Sequence, residues 1–155
     1  MGTEIERKFL VTGDEWRAMA TGVFYSQGYL CLEKERTVRV RIAGDKAFLT
    51  VKGKSSGISR MEYEYPIPLE DARVLLAQLC VQPVIEKKRY RIHYQGFVWE
   101  VDEFFGENEG LLVAEIELAA EEQVFEKPSW VGEEVSFDRR YANAGLVKNP
   151  YSSWR

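Results

Sequence analysis

Along most of the chain, apolar and charged positions alternate with a period of two. Charged or polar residues flank a single bulky one at Glu4-Ile5-Glu6, Arg39-Val40-Arg41, Thr50-Val51-Lys52, Glu62-Tyr63-Glu64, Glu100-Val101-Asp102 and Glu115-Ile116-Glu117. Lys87-Lys88-Arg89 keeps the spacing with a lysine in the middle. Residues i and i+2 share one face of a strand, so each triplet reads as a strand with one greasy and one charged face. The pattern predicts strands near 3–10, 25–32, 36–43, 46–53, 60–67, 85–94, 97–104 and 111–118, and a short one near 133–136. Gly44 in AGDK (43–46) and Gly96 in HYQGF (93–97) mark hairpin turns between periodic runs. GKSSG (53–57) reads as a flexible loop. Helices are expected at 13–20, at 69–80 behind Pro68 with Glu70 and Asp71 in the first turn, at 120–127, and over 138–147.

The charged faces are sorted by sign, whole strands acidic and whole strands basic. Like charges ~4 Å apart repel by about 1 kcal/mol in water and about 4 kcal/mol at an effective dielectric of 20, so something must offset the clustering. Basic strands suit a polyanion; acidic strands suit divalent cations held by oxygen ligands. Eight or nine strands with few helices suggest an α+β, mainly β chain: an antiparallel sheet closed on itself. Small barrels are ordinarily filled with apolar side chains. This pattern implies the inverse, with Ile5, Val40, Val51, Val101 and Ile116 packing outward against helices 69–80 and 120–127 and the charges lining a water-filled lumen. The competing reading, a solvated amphipathic sheet, does not account for the sorting.

A length of 155 residues suits a single domain spanning 1–155, and 45% hydrophobic with 30% charged residues suits a globular one. A net charge of −4 argues against a general nucleic-acid partner. No apolar run reaches the ~18 residues of a membrane span, and MGTEIERKFL is too charged for a secretory signal, so a cytoplasmic location is expected. Cys31 and Cys80 read as reduced packing residues. The lone His93 has no second histidine for a metal pair and reads as structural. Trp16, Trp99, Trp130 and Trp154 read as outer-face packing.

The segment Glu4-Ile5-Glu6-Arg7-Lys8 is an E-x-E-x-K motif on the first strand. Together with QGYL (27–30), Arg39-x-Arg41, Thr50-x-Lys52, SRMEYE (59–64), EKKRY (86–90), WEVDEF (99–104), AEIEL (114–118) and DRRYANAGL (138–146), it resembles the CYTH, or triphosphate tunnel metalloenzyme, superfamily. That resemblance implies an eight-stranded antiparallel β-barrel tunnel, helices outside it, a C-terminal helix near one mouth, and a triphosphate bound with divalent metal inside. Residue by residue, it implies Glu4, Glu6, Glu115 and Glu117 as metal ligands, with Glu62, Glu64 and Asp102 as further acidic candidates. Arg39, Arg41, Lys52, Arg89 and Arg140 would bind substrate, with Arg139 competing for the last position. Lys8, Tyr29 and Lys87 are the catalytic candidates: Lys8 as a point charge on phosphate or, with a depressed pKa, an aid to water activation; Lys87 as its rival; Tyr29 beside them or simply packing.

Seven of these cations (Lys8, Arg39, Arg41, Lys52, Lys87, Arg89, Arg140) stand against eight acids once Glu100 is counted, a lumen charge of −1. Tripolyphosphate carries roughly four or more negative charges near neutral pH, so the lumen would need one or two Mg²⁺ or Mn²⁺ ions to attract it. Phosphoryl transfer relies on positioning and charge stabilisation, so no nucleophilic Ser or Cys is required. The expected reaction is hydrolysis of inorganic triphosphate to pyrophosphate and phosphate, with a small-molecule triphosphate as partner, no nucleic acid, no membrane, and a homodimer left open. The alternatives are a nucleoside or thiamine triphosphatase, a class IV-type adenylyl cyclase, and a non-catalytic polyphosphate-binding module.

Overall fold

The computed structural model describes residues 2–154. Nine strands form: β1 (Gly2–Val11), β2 (Val23–Glu33), β3 (Arg36–Ala43), β4 (Lys46–Gly53), β5 (Ser59–Ile67), β6 (Val81–Tyr94), β7 (Phe97–Phe104), β8 (Leu112–Glu117) and β9 (Val131–Glu134). Their order is β5-β4-β3-β2-β6-β7-β8-β1-β9, and β1 also pairs with β5. The first eight therefore close into an antiparallel barrel, with β9 added to the far half of β1 beside Phe9 and Val11. Closure is made over Gly2–Ile5 of β1 and Ser59–Glu62 of β5.

The period-two faces separate as the alternation predicts. Outside, Trp16, Trp99 and Trp130 are buried with Phe9, Val101 and Ile116 in one cluster. Phe9, Trp99 and Phe125 meet edge-on with ring centroids 5.5–6.1 Å apart, each contact adding about 0.5–1.5 kcal/mol beyond area burial. A second outer cluster sets Val40 and Ala47 under Ala72 and Leu76. These last two belong to α1 (Leu69–Val74) and the wider turn Leu75–Leu79, where Cys80 N–H reaches back five residues to the Leu75 carbonyl. The cover stops partway along β4 and β5, where Val51, Met61, Tyr63 and Tyr65 stay exposed, so Val51 does not pack against a helix as expected.

Three expected helices come out differently. Residues 13–20 form only a 3₁₀ turn, Glu15–Ala18, that buries Trp16. Residues 120–127 are not helical. One turn closes by Gln123 N–H to the Ala120 carbonyl, Val124 faces solvent, and the chain then runs irregularly to Pro128. Phe125 is the main apolar anchor there, and packing it onto Phe9 and Trp99 outweighs a short helix with no second buried turn. The 138–147 helix is split: Arg139–Tyr141 is a 3₁₀ turn, Ala142 is extended, and α2 runs Asn143–Lys148. Gly145 lets the turn fold against α2, because a Cβ there would collide with the Arg139 carbonyl oxygen.

The lumen is not charged from end to end. Leu146 and Val147 of α2 pack on Tyr29, Ile85, Phe104 and Val113. Ile85, Phe104 and Val113 continue, by two residues, the faces carrying Lys87, Asp102 and Glu115. An apolar plug thus closes the α2 side of the barrel.

Candidate active site

Inside the barrel is a cavity of about 400 Å³ lined by all eight strands and by Ala142, Asn143 and Ala144. It receives Glu4, Glu6 and Lys8 from β1, Tyr25 and Tyr29 from β2, Arg39 and Arg41 from β3, Lys52 from β4, Glu62 and Glu64 from β5, Arg89 from β6, Glu100 from β7, and Glu115 and Glu117 from β8. Register decides which meet. Glu6 lies opposite Glu117, Lys8 opposite Glu115, Glu115 opposite Glu100, Arg39 opposite Thr50, and Lys52 opposite Glu62.

The carboxylates fall into two groups. Burial raises Glu115, but Lys8 at 3.3 Å and Arg89 at 3.2 Å hold it well below the usual carboxylate range. Burial likewise opposes Glu4, which Lys52 at 3.0 Å pulls down. Glu6 has no such partner: burial, then Glu115 and Glu4, push it up to about 8. Glu117 is raised by burial, with Glu4, Glu62 and Glu100 adding to it. Glu62 is raised by burial and Glu4 despite Lys52 at 3.3 Å. Glu6, Glu62 and Glu117 are therefore underneutralised oxygen donors, the chemistry a hard divalent cation takes. Among the described residues, no three acids are already drawn together as a metal cage.

On the cationic side, Arg39 is buried; its Nη2 reaches Thr50 Oγ1 at 3.2 Å and Glu64 at 3.5 Å, while its Nε has no partner among the described residues. A buried orphan donor on an arginine is costly unless an anion meets it. Arg41 packs its guanidinium over Tyr25, 5.1 Å from the ring centroid, and burial with the nearby Arg39 and Arg89 lowers it to about 10. Burial lowers Lys8, but Glu115 and Glu6 outweigh it and the ammonium stays charged. A depressed Lys8 is thus not what the metal-free lumen provides.

Three predicted site residues are not in the cavity wall. Asp102 is fully buried behind it, gripped by Arg89 through two 2.8 Å bonds and by Lys87 at 2.8 Å; it serves as a counter-ion with both oxygens committed to these cations. Lys87 is equally buried, and burial with Arg89 and Arg41 pushes it down to about 7 against the pull of Asp102. Arg140 stands outside, bonded to Asp138 at 2.7 Å and packed over Trp154, and the neighbouring Arg139 is also exposed. The split after Tyr141 turns this pair away from the lumen. Gln27 and Asn143, inside QGYL and DRRYANAGL, carry no charge signal; the fold brings them together at 3.0 Å behind Arg41.

The profile of the CYTH domain matches residues 2–145. The chain belongs to the CYTH domain family. A CYTH relative from Acetivibrio thermocellus, an inorganic triphosphatase, is 57% identical over 100% of this chain and 99% of its own. Another inorganic triphosphatase, from Nitrosomonas europaea, is 38% identical over 94% of this chain and 97% of its own. The solved structure of the inorganic triphosphatase NE1496 superposes with a TM-score of 0.67 at 33% identity, covering 92% of this chain and 96% of that one. The closed eight-stranded antiparallel barrel accords with the fold that the E-x-E-x-K resemblance implies.

Proposed function

We propose that this chain hydrolyses inorganic triphosphate to pyrophosphate and phosphate, with residues 1–155 acting as one unit around the lumen. The observation that carries the reading is the pairing, in one cavity, of underneutralised carboxylates on β1, β5 and β8 with a buried arginine whose Nε has no partner among the described residues. The relatives named inorganic triphosphatase support it.

Arg39, Arg41 and Lys52 bind the phosphate oxygens, the arginines through paired N–H groups and Lys52 as a point charge. Lys8, held charged beside Glu6 and Glu115, stabilises the negative charge that shifts to the leaving pyrophosphate as the terminal P–O bond breaks. Tyr29, at the wall, positions the chain. Glu4, Glu6, Glu62 and Glu117 would hold Mg²⁺ or Mn²⁺, with Glu115 and Glu64 next to them. Such an ion supplies charge neutralisation and a more acidic water. Arg89 lines the cavity as a further cation, and Lys87 and Asp102 brace it from behind.

An inorganic substrate fits better than a nucleotide. The face of Tyr25 is already covered by Arg41 and Arg89, 5.1 and 5.3 Å from its centroid, so it is not free to stack a base. Phosphate release from tripolyphosphate, ATP and thiamine triphosphate, with Mg²⁺ or Mn²⁺ and with excess chelator, tests this. Tripolyphosphate should be cleaved at least tenfold more efficiently than ATP, from one charge-assisted contact of roughly 1.5–3 kcal/mol. Undiminished turnover in chelator, or cyclic AMP from ATP, would overturn the reading.

A further inference from the structure

A chain of buried polar groups joins Arg41 on β3 to Lys87 on β6, the two strands that flank β2. Arg41 Nε donates to Gln27 Oε1 at 3.1 Å, and Gln27 Nε2 donates to Asn143 Oδ1 at 3.0 Å. Lys87 Nζ donates to the same Asn143 oxygen at 3.1 Å and to Asp102 at 2.8 Å. Gln27, Lys87 and Asp102 are all at 0% exposure, so water cannot substitute for a missing link without a rearrangement. The chemistry of the ends orients both amides. A guanidinium only donates, so Gln27 turns Oε1 to Arg41 Nε and offers Nε2 to Asn143. Asn143 therefore presents Oδ1, and Lys87 Nζ donates to that same oxygen. Asn143 opens α2 and lines the cavity, so the chain also ties the plug to the tunnel wall.

We infer that Asn143 is a positioning residue of the phosphate site: acting through Gln27, it holds the Arg41 guanidinium in the orientation that grips the substrate. The inference rests on the triphosphatase reading above. Without the Asn143 oxygen, the Gln27 amide is free to rotate, and Arg41 loses its fixed acceptor. Lys87 then keeps Asp102 alone.

The test is a double-mutant cycle on the full chain, with kcat/KM for tripolyphosphate as readout. Asn143→Ala and Arg41→Ala should each cost about tenfold or more, and Asn143→Ala in the Arg41→Ala background should cost less than about threefold, because the residue acts through that arginine. Asn143→Asp, which keeps an acceptor for Gln27 and Lys87, should recover most of the kcat/KM that Asn143→Ala loses, through KM rather than kcat. If Asn143→Ala does not fold, Gln27→Leu takes its place in the same cycle. A second readout needs no turnover: hydrogen exchange of the Arg41 side-chain Nε–H, followed by ¹⁵N spectroscopy, should speed up at least tenfold in Asn143→Ala. Equal losses in both backgrounds, or unchanged Arg41 exchange, would overturn the inference. A wild-type chain that leaves tripolyphosphate intact would instead sink the functional reading, while the exchange measurement would still decide whether Asn143 holds Arg41.

Discussion

Glu6 on β1 faces Glu117 on β8 as a direct antiparallel partner, so two carboxylates share one patch of the lumen, and among the described residues neither has a bonded cation. Such a pair is destabilising by itself, since like charges directly opposite on a sheet repel. Its tolerance in a closed barrel fits the cation site proposed above.

Neutralising Glu6 should therefore separate function from stability. Glu6→Gln and Glu117→Gln should abolish most phosphate release from tripolyphosphate. In excess chelator both variants should melt at or above the wild-type temperature. Melting curves beside rate assays check this, and near-normal rates in both variants would remove these carboxylates from the site.

The same environment gives cation binding a defined pH dependence. Glu6, pushed up to about 8, keeps its proton in the metal-free fold below that pH. An ion must then displace the proton below pH 8 and meets a free carboxylate above it. Apparent Mg²⁺ affinity should rise up to about tenfold per pH unit approaching 8 and level off beyond. Without metal, the folded state binds more protons than the unfolded one between the ordinary glutamate value of 4.5 and about 8, so this group's contribution to stability falls as pH rises through that window. Calorimetric Mg²⁺ titrations and chelator melts from pH 6 to 9 test both signs, and Glu6→Gln should flatten them.

Arg39 and Arg140 should differ sharply. Arg39→Ala removes the buried guanidinium with the unpartnered Nε and should raise KM for tripolyphosphate by about tenfold or more. Arg140, bonded to Asp138 outside the lumen, should tolerate alanine with KM changed less than about threefold. Steady-state kinetics on the two variants decide it; a KM loss at Arg140 as large as that at Arg39 would mean that it swings inward when substrate binds.

Asp102→Asn should damage the fold before it damages cation binding. Asp102 takes bonds from both Arg89 and Lys87 in a fully buried setting. Weakening a buried counter-ion leaves cations uncompensated, a loss of about 3–5 kcal/mol. The melting temperature should drop with chelator present. A normal melting temperature combined with lost Mg²⁺ binding would instead make Asp102 a ligand.

The period-two alternation determined the strands and the side of each that carries charge, because a pleated chain can expose only every second residue to one face. It also determined the sorting by sign that set Glu4, Glu6, Glu115 and Glu117 apart from Arg39, Arg41 and Lys52. Which charges meet was decided by register and closure. The β1–β8 pairing puts Glu6 against Glu117 and Lys8 against Glu115, and a slip of β8 by one residue would have turned Glu115 and Glu117 outward. Distance from the lumen is equally a tertiary matter. Lys87 and Asp102 share strand faces with true lining residues, yet the α2 plug and the Arg89 fork seal them behind the wall. The helix at 120–127 fails for a related reason, since burying Phe125 on a distant tryptophan outweighs local propensity. Gln27 and Asn143 carry no charge or spacing that marks them. Their role comes from being the amides placed where Arg41 and Lys87 need acceptors, which only the folded barrel arranges.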